Sequence, residues 1–544
     1  MTREVLRRCA PLLEAAAVLL AARLDPLLSL VPGLGLFTGL LGWVLLALGV
    51  GISALRWRGR PLRVATPPTI VLALAPVVLS GAVGVSYVTS VDASGDEIDY
   101  LMMAQSIWRE GDLDLRDNVA REDYLDYVPG IHRMPAGTRR ADGRPFPTHS
   151  SGLSFLLAPV YALGGRPAGV VFLSIVAAAL GLLVRRLARQ AGADEDAALL
   201  AWAATVGPPV FFYTHFIYTE VVCAFAIALA LLLLLSSPGP AKAAVAALAL
   251  SALPWLHVKV ALVSVVLGVY ALVRLRGRAR LAFAVTAGAM ALLYLGYFWV
   301  IFGRPDPFAL YGSRIPKPMA RMTPGRTLLG VFLDGGFGLL VYAPVFILGL
   351  AGLGPLLGRS RRELWAFGLT IVAVMVPVLA WKNWWGFSPP GRFLVPLLPV
   401  LAVAAAARVT QRPTFGLARW RWPLAAAGFA LALMMSVEPI EMRMIHTRDG
   451  PLRALDMLGG EVSPARYLPR LTSRLGTERP PWRPPVAEVR VALIWAAALL
   501  ALVALERMAR SRERLERVFR GLALPVGLLL VVTLAVDYWA RAPG

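Results

Sequence analysis

Apolar runs of roughly 16–22 residues recur along almost the whole of this 544-residue chain, most of them long enough to cross the hydrocarbon core of a bilayer as a helix. A chain built this way folds as an all-α polytopic transmembrane bundle. Composition agrees: 58% of residues are hydrophobic and mean hydropathy is +0.65, well above a soluble globular chain. Basic clusters follow many of the alternate runs. They are Arg56 to Arg63, Arg185 to Arg189, Arg274 to Arg280, Arg359 to Arg362, Arg412 to Arg421, and Arg507 to Arg520. Short loops carrying such clusters face the cytoplasm. Alternating from them predicts about fifteen helices, the first near 5–24 and the last near 521–538.

The formal charge of +22 therefore does not imply nucleic acid, because much of it sits in these orienting clusters. Two cysteines, Cys9 and Cys223, lie in or beside apolar segments and provide neither a disulfide framework nor a zinc site. The N-terminus has basic residues followed by an apolar stretch, as a signal peptide does. The apolar pattern resumes beyond any cleavage point, so it reads as an uncleaved first helix. By segment, 1–68 holds two N-terminal helices and 69–437 a transmembrane core with a long outer loop over 92–151. A Pro-rich outer loop follows over 438–488, then C-terminal helices over 489–544.

The outer side carries the chemically varied residues. Asp96 and Glu97 stand side by side in SGDEIDY, directly after an apolar run, at the head of the carboxylate-rich loop. The apolar residues Ile98, Leu101, Met102, Ile107 and Trp108 then recur at helical spacing, as in an amphipathic helix able to lie along the interface. Ser94 to Glu97 also fits a capping box, and acidic residues favour a helix N-terminus, so a purely structural role stays open.

Other ionisable residues fall at separate outer turns: Glu220 in HFIYTEVV, His257 and Lys259 in PWLHVKV, Asp334 in FLDGGFGLL, and Arg392 after WWGFSPPG. All five histidines, His149 among them, lie on or near this side. Ionisable groups near the apolar zone are costly and usually face a cavity or a partner. Each has an ordinary alternative: Lys259 and Arg392 can snorkel to headgroups, Glu220 and Asp334 can cap helices, and His257 can be a hydrogen-bonded interface residue. Several turns supplying such groups to one side is the stronger signal. No GxGxxG, Walker-type or HExxH motif occurs, so no nucleotide phosphate is bound by a known sequence device. The loop carboxylates leave a divalent cation open, but their spacing matches no ligand pattern, and no metal ligand or other cofactor is assigned.

The segment GDEIDYLMMAQSIWREGDLDL resembles the first outer loop of GT-C membrane glycosyltransferases, in the branch of protein O-mannosyltransferases and lipid A aminoarabinose transferases. THSSGLSFLLAPVYALGG, FIYTEVV, FLDGGFGLLVYAPV and WWGFSPPGRFLVPLLP support the resemblance, which covers roughly 69–410. It implies a GT-C-like catalytic core in a multi-pass protein of a cell membrane, bacterial in character, with its site on the outer face. It also implies a polyprenyl-phosphate sugar donor from the membrane, a glycan, lipid or protein acceptor, and no nucleic acid. Asp96 is then the catalytic carboxylate, with Glu97 its neighbour. Chemistry supports the rest of the set. A base must take the acceptor proton, and cations must stabilise the departing lipid phosphate, roles suited to Asp96 and to Arg392 with Lys259. Glu220, His257, Asp334 and His149 complete the candidate site as substrate-binding groups. The competing reading is a secondary transporter or lipid-linked sugar flippase, which predicts midplane ionisable groups and internal repeats; neither is evident here.

Overall fold

A computed structural model describes residues 3–58, 66–129, 138–311, 324–381, 384–385, 388–412, 416–437, 451–472, 485–508 and 523–540. His132, His446, Lys317, Lys382 and the parts 438–450 and 473–484 of the 438–488 loop lie outside the described residues. The chain is an all-α multi-pass membrane bundle; among the described residues one two-residue antiparallel ribbon pairs Thr138 with Phe146 and Arg139 with Pro145. Among the described residues, seven helices are long and apolar enough to cross a membrane, or eight if a bent pair at Pro32–Thr38 and Leu40–Ala54 is one span. Other apolar runs form shorter helices. Glu220–Leu235, Pro240–Leu256, Phe346–Leu357 and Gly527–Tyr538 are of this kind.

Contacts divide the chain into two compact units. One comprises 1–65, 328–344 and 411–544. Its core gathers Ala15, Leu34, Phe37 and Leu45 with Tyr467, Val491, Val532 and Val536. The other comprises 66–327 and 345–410 and contains the candidate site. Its central element is Gly152–Gln190, which packs against Thr69–Ser90, Asp96–Arg109, Glu195–Val206 and Glu220–Leu235. This helix is broken at Gly164 and Gly165, so Arg166 opens its second segment. Gly277–Phe302 packs on Pro240–Leu256, and Ala261–Arg274 on Arg361–Ala380.

The helix Asp96–Arg109 does not lie on the surface as an amphipathic strap. Nine of its fourteen residues, from Glu97 through Ser106, are buried, and it packs against the central helix. Gly95 is its N-cap, at φ 61°, and no side chain caps it. A Cβ there would lie 2.8 Å from the Tyr218 hydroxyl, so the turn admits glycine on both backbone and steric grounds. The loop carboxylates that follow are neutralised by the loop's own arginines: Arg109 with Asp123, Arg121 with Glu110, Asp117 and Asp123, and Arg144 with Asp114.

Candidate active site

Five short connections of the larger unit bring their ionisable residues to one place. Arg392 opens the 3-10 turn Arg392–Leu397, just after Gly391 at φ 78°. The Pro-Pro-Gly turn before it is pinned by Tyr213, whose hydroxyl donates to the Pro389 carbonyl. Only 6% of Arg392 is exposed, and its guanidinium bridges two carboxylates. Nη2 donates to Asp96 Oδ2, and Nε donates to Glu220 Oε1 at 2.6 Å. Its planar face lies 4.2 Å from the ring centre of Tyr218. A planar fork can satisfy two carboxylates and stack on a ring at once, which a lysine cannot copy.

His149 extends the network. Its Nε2 lies 3.3 Å from Asp96 Oδ1, and its Nδ1 is 2.6 Å from Asp99 Oδ2. Burial disfavours the imidazolium, but hydrogen bonds to Asp96 and Asp99 outweigh it and raise the His149 pKa to about 9. Burial likewise opposes ionisation of Asp96, yet Arg392 and His149 together hold its carboxyl well below the usual range. Asp96 is thus an ionised carboxylate, half-buried, with one oxygen on each cation. Glu220 is buried, and its second oxygen, Oε2, has no hydrogen-bond partner among the described residues. An orphaned buried acceptor of this kind is rare without a ligand or water to serve it.

Lys259 differs from Arg392. Its ammonium lies 4.2 Å from the Trp381 ring centre and 4.0 Å from that of Phe393. Among the described residues no carboxylate pairs with it. Burial, then the charge of Arg392, push its pKa down to about 7, against the pull of Asp96 and Glu220. His257 caps the 3-10 turn Val258–Val260: its Nδ1 accepts from the Lys259 amide at 3.1 Å. That bond orients the turn carrying Lys259, and burial holds His257 neutral.

Two residues expected at the site have other partners. Glu97 points away from Asp96 into a fully buried, bidentate pair with Arg166, Nε to Oε1 at 2.8 Å and Nη2 to Oε2 at 3.1 Å. Arg166 also donates to the Val88 carbonyl at 3.1 Å, near the end of Thr69–Ser90. Glu97 therefore anchors the start of its helix to two others and fixes the backbone beneath Asp96. Helical geometry is the reason, since adjacent residues diverge by about 100° and cannot share a face. Asp334 belongs to the other unit. It is 1% exposed and accepts from the amides of Gly336, Phe337 and Leu471 at 2.9, 3.1 and 2.6 Å, a turn-holding role. Burial, partly offset by those amides, raises its pKa to about 6.

Glu97→Gln should leave Arg166 buried with its charge uncompensated and cost roughly 3–5 kcal/mol. Thermal unfolding of the detergent-solubilised protein measures this. A midpoint equal to wild type would mean that Arg166 finds other compensation.

Asp99, Tyr218, Arg166, Trp381 and Phe393 escaped the sequence reading as site or support residues. Asp99 had a usable signal, lying one helical turn from Asp96. Among the described residues, no group of three or more His, Cys, Asp or Glu side chains is arranged to hold a metal ion.

No protein-family model and no curated protein matches the chain. Solved structures do. The chain is similar to ArnT from Cupriavidus metallidurans bound to undecaprenyl phosphate, at 16% identity over 86% of this chain and 76% of that one, with a TM-score of 0.41. It is similar to the oligosaccharyltransferase AglB from Archaeoglobus fulgidus in complex with an inhibitory peptide and a dolichol-phosphate, at 14% identity over 81% and 56%, with a TM-score of 0.40. It is similar also to the arabinosyltransferase EmbB from Mycobacterium smegmatis, at 15% identity over 91% and 44%, with a TM-score of 0.39.

Proposed function

We propose that the chain is a membrane glycosyltransferase that moves a sugar from a polyprenyl-phosphate donor to a hydroxyl-bearing acceptor on the non-cytoplasmic side. The observation that carries this reading is the cluster itself. An ionised Asp96 stands beside the orphan oxygen of Glu220 and the carboxylate-free ammonium of Lys259, among helices of membrane length. In the transfer, the acceptor oxygen bonds to the anomeric carbon as the bond from that carbon to the phosphate oxygen breaks. The acceptor proton passes to Asp96, and the lipid phosphate leaves with one more negative charge. Lys259 is placed to meet that charge, since its present partners are ring faces that a phosphate would replace or supplement. Glu220 Oε2 would accept from a sugar hydroxyl. Arg392 and His149 keep Asp96 ionised and oriented, and Asp99 orients His149. His257 supports Lys259.

Incubating the purified protein with a panel of polyprenyl-phosphate sugars and assaying free polyprenyl phosphate tests the reaction. Absence of both binding and release across the panel would count against it.

The Lys259 pKa near 7 gives a pH signature. The donor is a phosphodiester, singly charged through neutrality, so only the protein titrates. The protonated amine binds the anion. Donor affinity should therefore be flat below about pH 7 and fall above it, by up to tenfold per unit. Lys259→Arg should flatten the profile, and Lys259→Met should lower affinity throughout. A pH-independent wild type would separate Lys259 from the phosphate.

Orientation is checked by cysteine labelling in a Cys9→Ser background. A cysteine at the exposed loop residue Asp142 should react with an impermeant thiol reagent from outside, and one at Arg278 should not. The reverse pattern would place the cluster on the cytoplasmic side.

A further inference from the structure

The helices Ala261–Arg274 and Arg361–Ala380 pack together, the first starting and the second ending at Lys259 and Trp381. Their other ends therefore lie one helix length away, about 21 Å for a fourteen-residue helix. There a groove of about 1000 Å³ opens, sharing no lining residue with the carboxylate cluster. Its walls include Val269, Val273, Trp365 and Leu369, and Arg274 and Arg276 stand at its end. The wall residues Val269, Val273 and Trp365 are 57%, 75% and 57% exposed, in helices of apolar composition.

The cations at this end are poorly served. Arg274 and Arg276 are exposed and make no ion pair among the described residues. Arg362, outside the groove's lining, reaches the Leu234 carbonyl at 3.3 Å with Nη2, and its buried Nε has no hydrogen-bond partner among the described residues. Glu363, the carboxylate next in sequence, is engaged by Ser360 and Arg359 instead. Apolar walls ending in guanidiniums that lack carboxylates complement an amphiphile with an anionic head.

We propose that this groove binds an anionic phospholipid of the surrounding bilayer, its acyl chain along Val269, Val273, Trp365 and Leu369 and its phosphate on Arg274 and Arg276. The site is separate from the proposed donor site and holds a resident lipid rather than a substrate. Arginine forks suit phosphate oxygens, and an acyl chain covers the walls better than water or a free ion can.

Native mass spectrometry of the full-length protein, with phosphatidylglycerol or phosphatidylcholine added, tests this. Wild type should retain phosphatidylglycerol and hold phosphatidylcholine at least tenfold less. Arg274→Gln combined with Arg276→Gln should reduce phosphatidylglycerol retention roughly tenfold or more. Val269→Trp fills the groove without changing charge and should reduce it as well, which covers the case in which the double variant folds poorly. Arg186→Gln, in a basic cluster outside the groove, should have no effect. Equal retention of the two lipids, unchanged retention in both groove variants, or an equal loss in Arg186→Gln would overturn the proposal.

Discussion

Asp96→Asn should lower turnover by roughly two to four decades while leaving the donor bound. The amide keeps the size of the carboxylate and can still accept from Arg392, so the pocket is preserved. It cannot take the acceptor proton. It also removes one of the two carboxylates on His149, so the imidazolium pKa should fall from about 9 toward the ordinary histidine value. The informative measurements are single-turnover release of polyprenyl phosphate and donor affinity, taken together. Lost release with retained affinity fits a proton acceptor. Near-normal turnover in a well-folded Asp96→Asn protein would leave this residue as a helix-start carboxylate that serves Arg392 structurally. The depressed Asp96 pKa carries a sign: the acid limb of its rate profile should lie below the ordinary aspartate range, because Arg392 and His149 keep it ionised.

Arg392→Ala should be costly in a different way. It leaves Glu220, 7% exposed at its side chain, and Asp96, 23% exposed, without the cation between them. Breaking a buried pair from one side costs roughly 3–5 kcal/mol, chiefly through the charge left behind. Thermal unfolding should show that loss, and adding Glu220→Gln should restore part of it, since one stranded carboxylate is then removed. Catalysis should stay lost in both. Arg392→Lys should also weaken donor binding, because an ammonium cannot bridge two carboxylates and stack on Tyr218 at once. An arginine that merely snorkels to headgroups would tolerate lysine. Wild-type stability and donor affinity in Arg392→Lys would remove Arg392 from the centre of the site.

The structure brings together Asp96, His149, Glu220, His257, Lys259 and Arg392, all of which the outer turns had singled out. The reason they were legible is environmental: a charge beside long apolar runs is expensive wherever it lies, so its presence marks a cavity or a partner. Their pairing was not legible. Arg392 meets Asp96 across 296 residues and Glu220 across 172, and His149 meets Asp99 across 50. No local pattern encodes such a meeting. Glu97 shows the converse: adjacency in sequence implied a shared role with Asp96, and helical rotation sent the two side chains to different partners.

Hydrophobic run length and arginine placement by themselves determined that this chain is an all-α membrane bundle, because bilayer thickness and charge asymmetry act on local segments. The same local logic predicted a helix starting at Asp96. Only the tertiary structure decided that this helix is buried rather than laid along the interface, and that Asp334 sits in a separate unit. It also decided that Lys259 pairs with no carboxylate among the described residues, while Arg392 is committed to two. Those outcomes depend on which helix ends meet in space, and that is settled by packing between segments, not by any one of them.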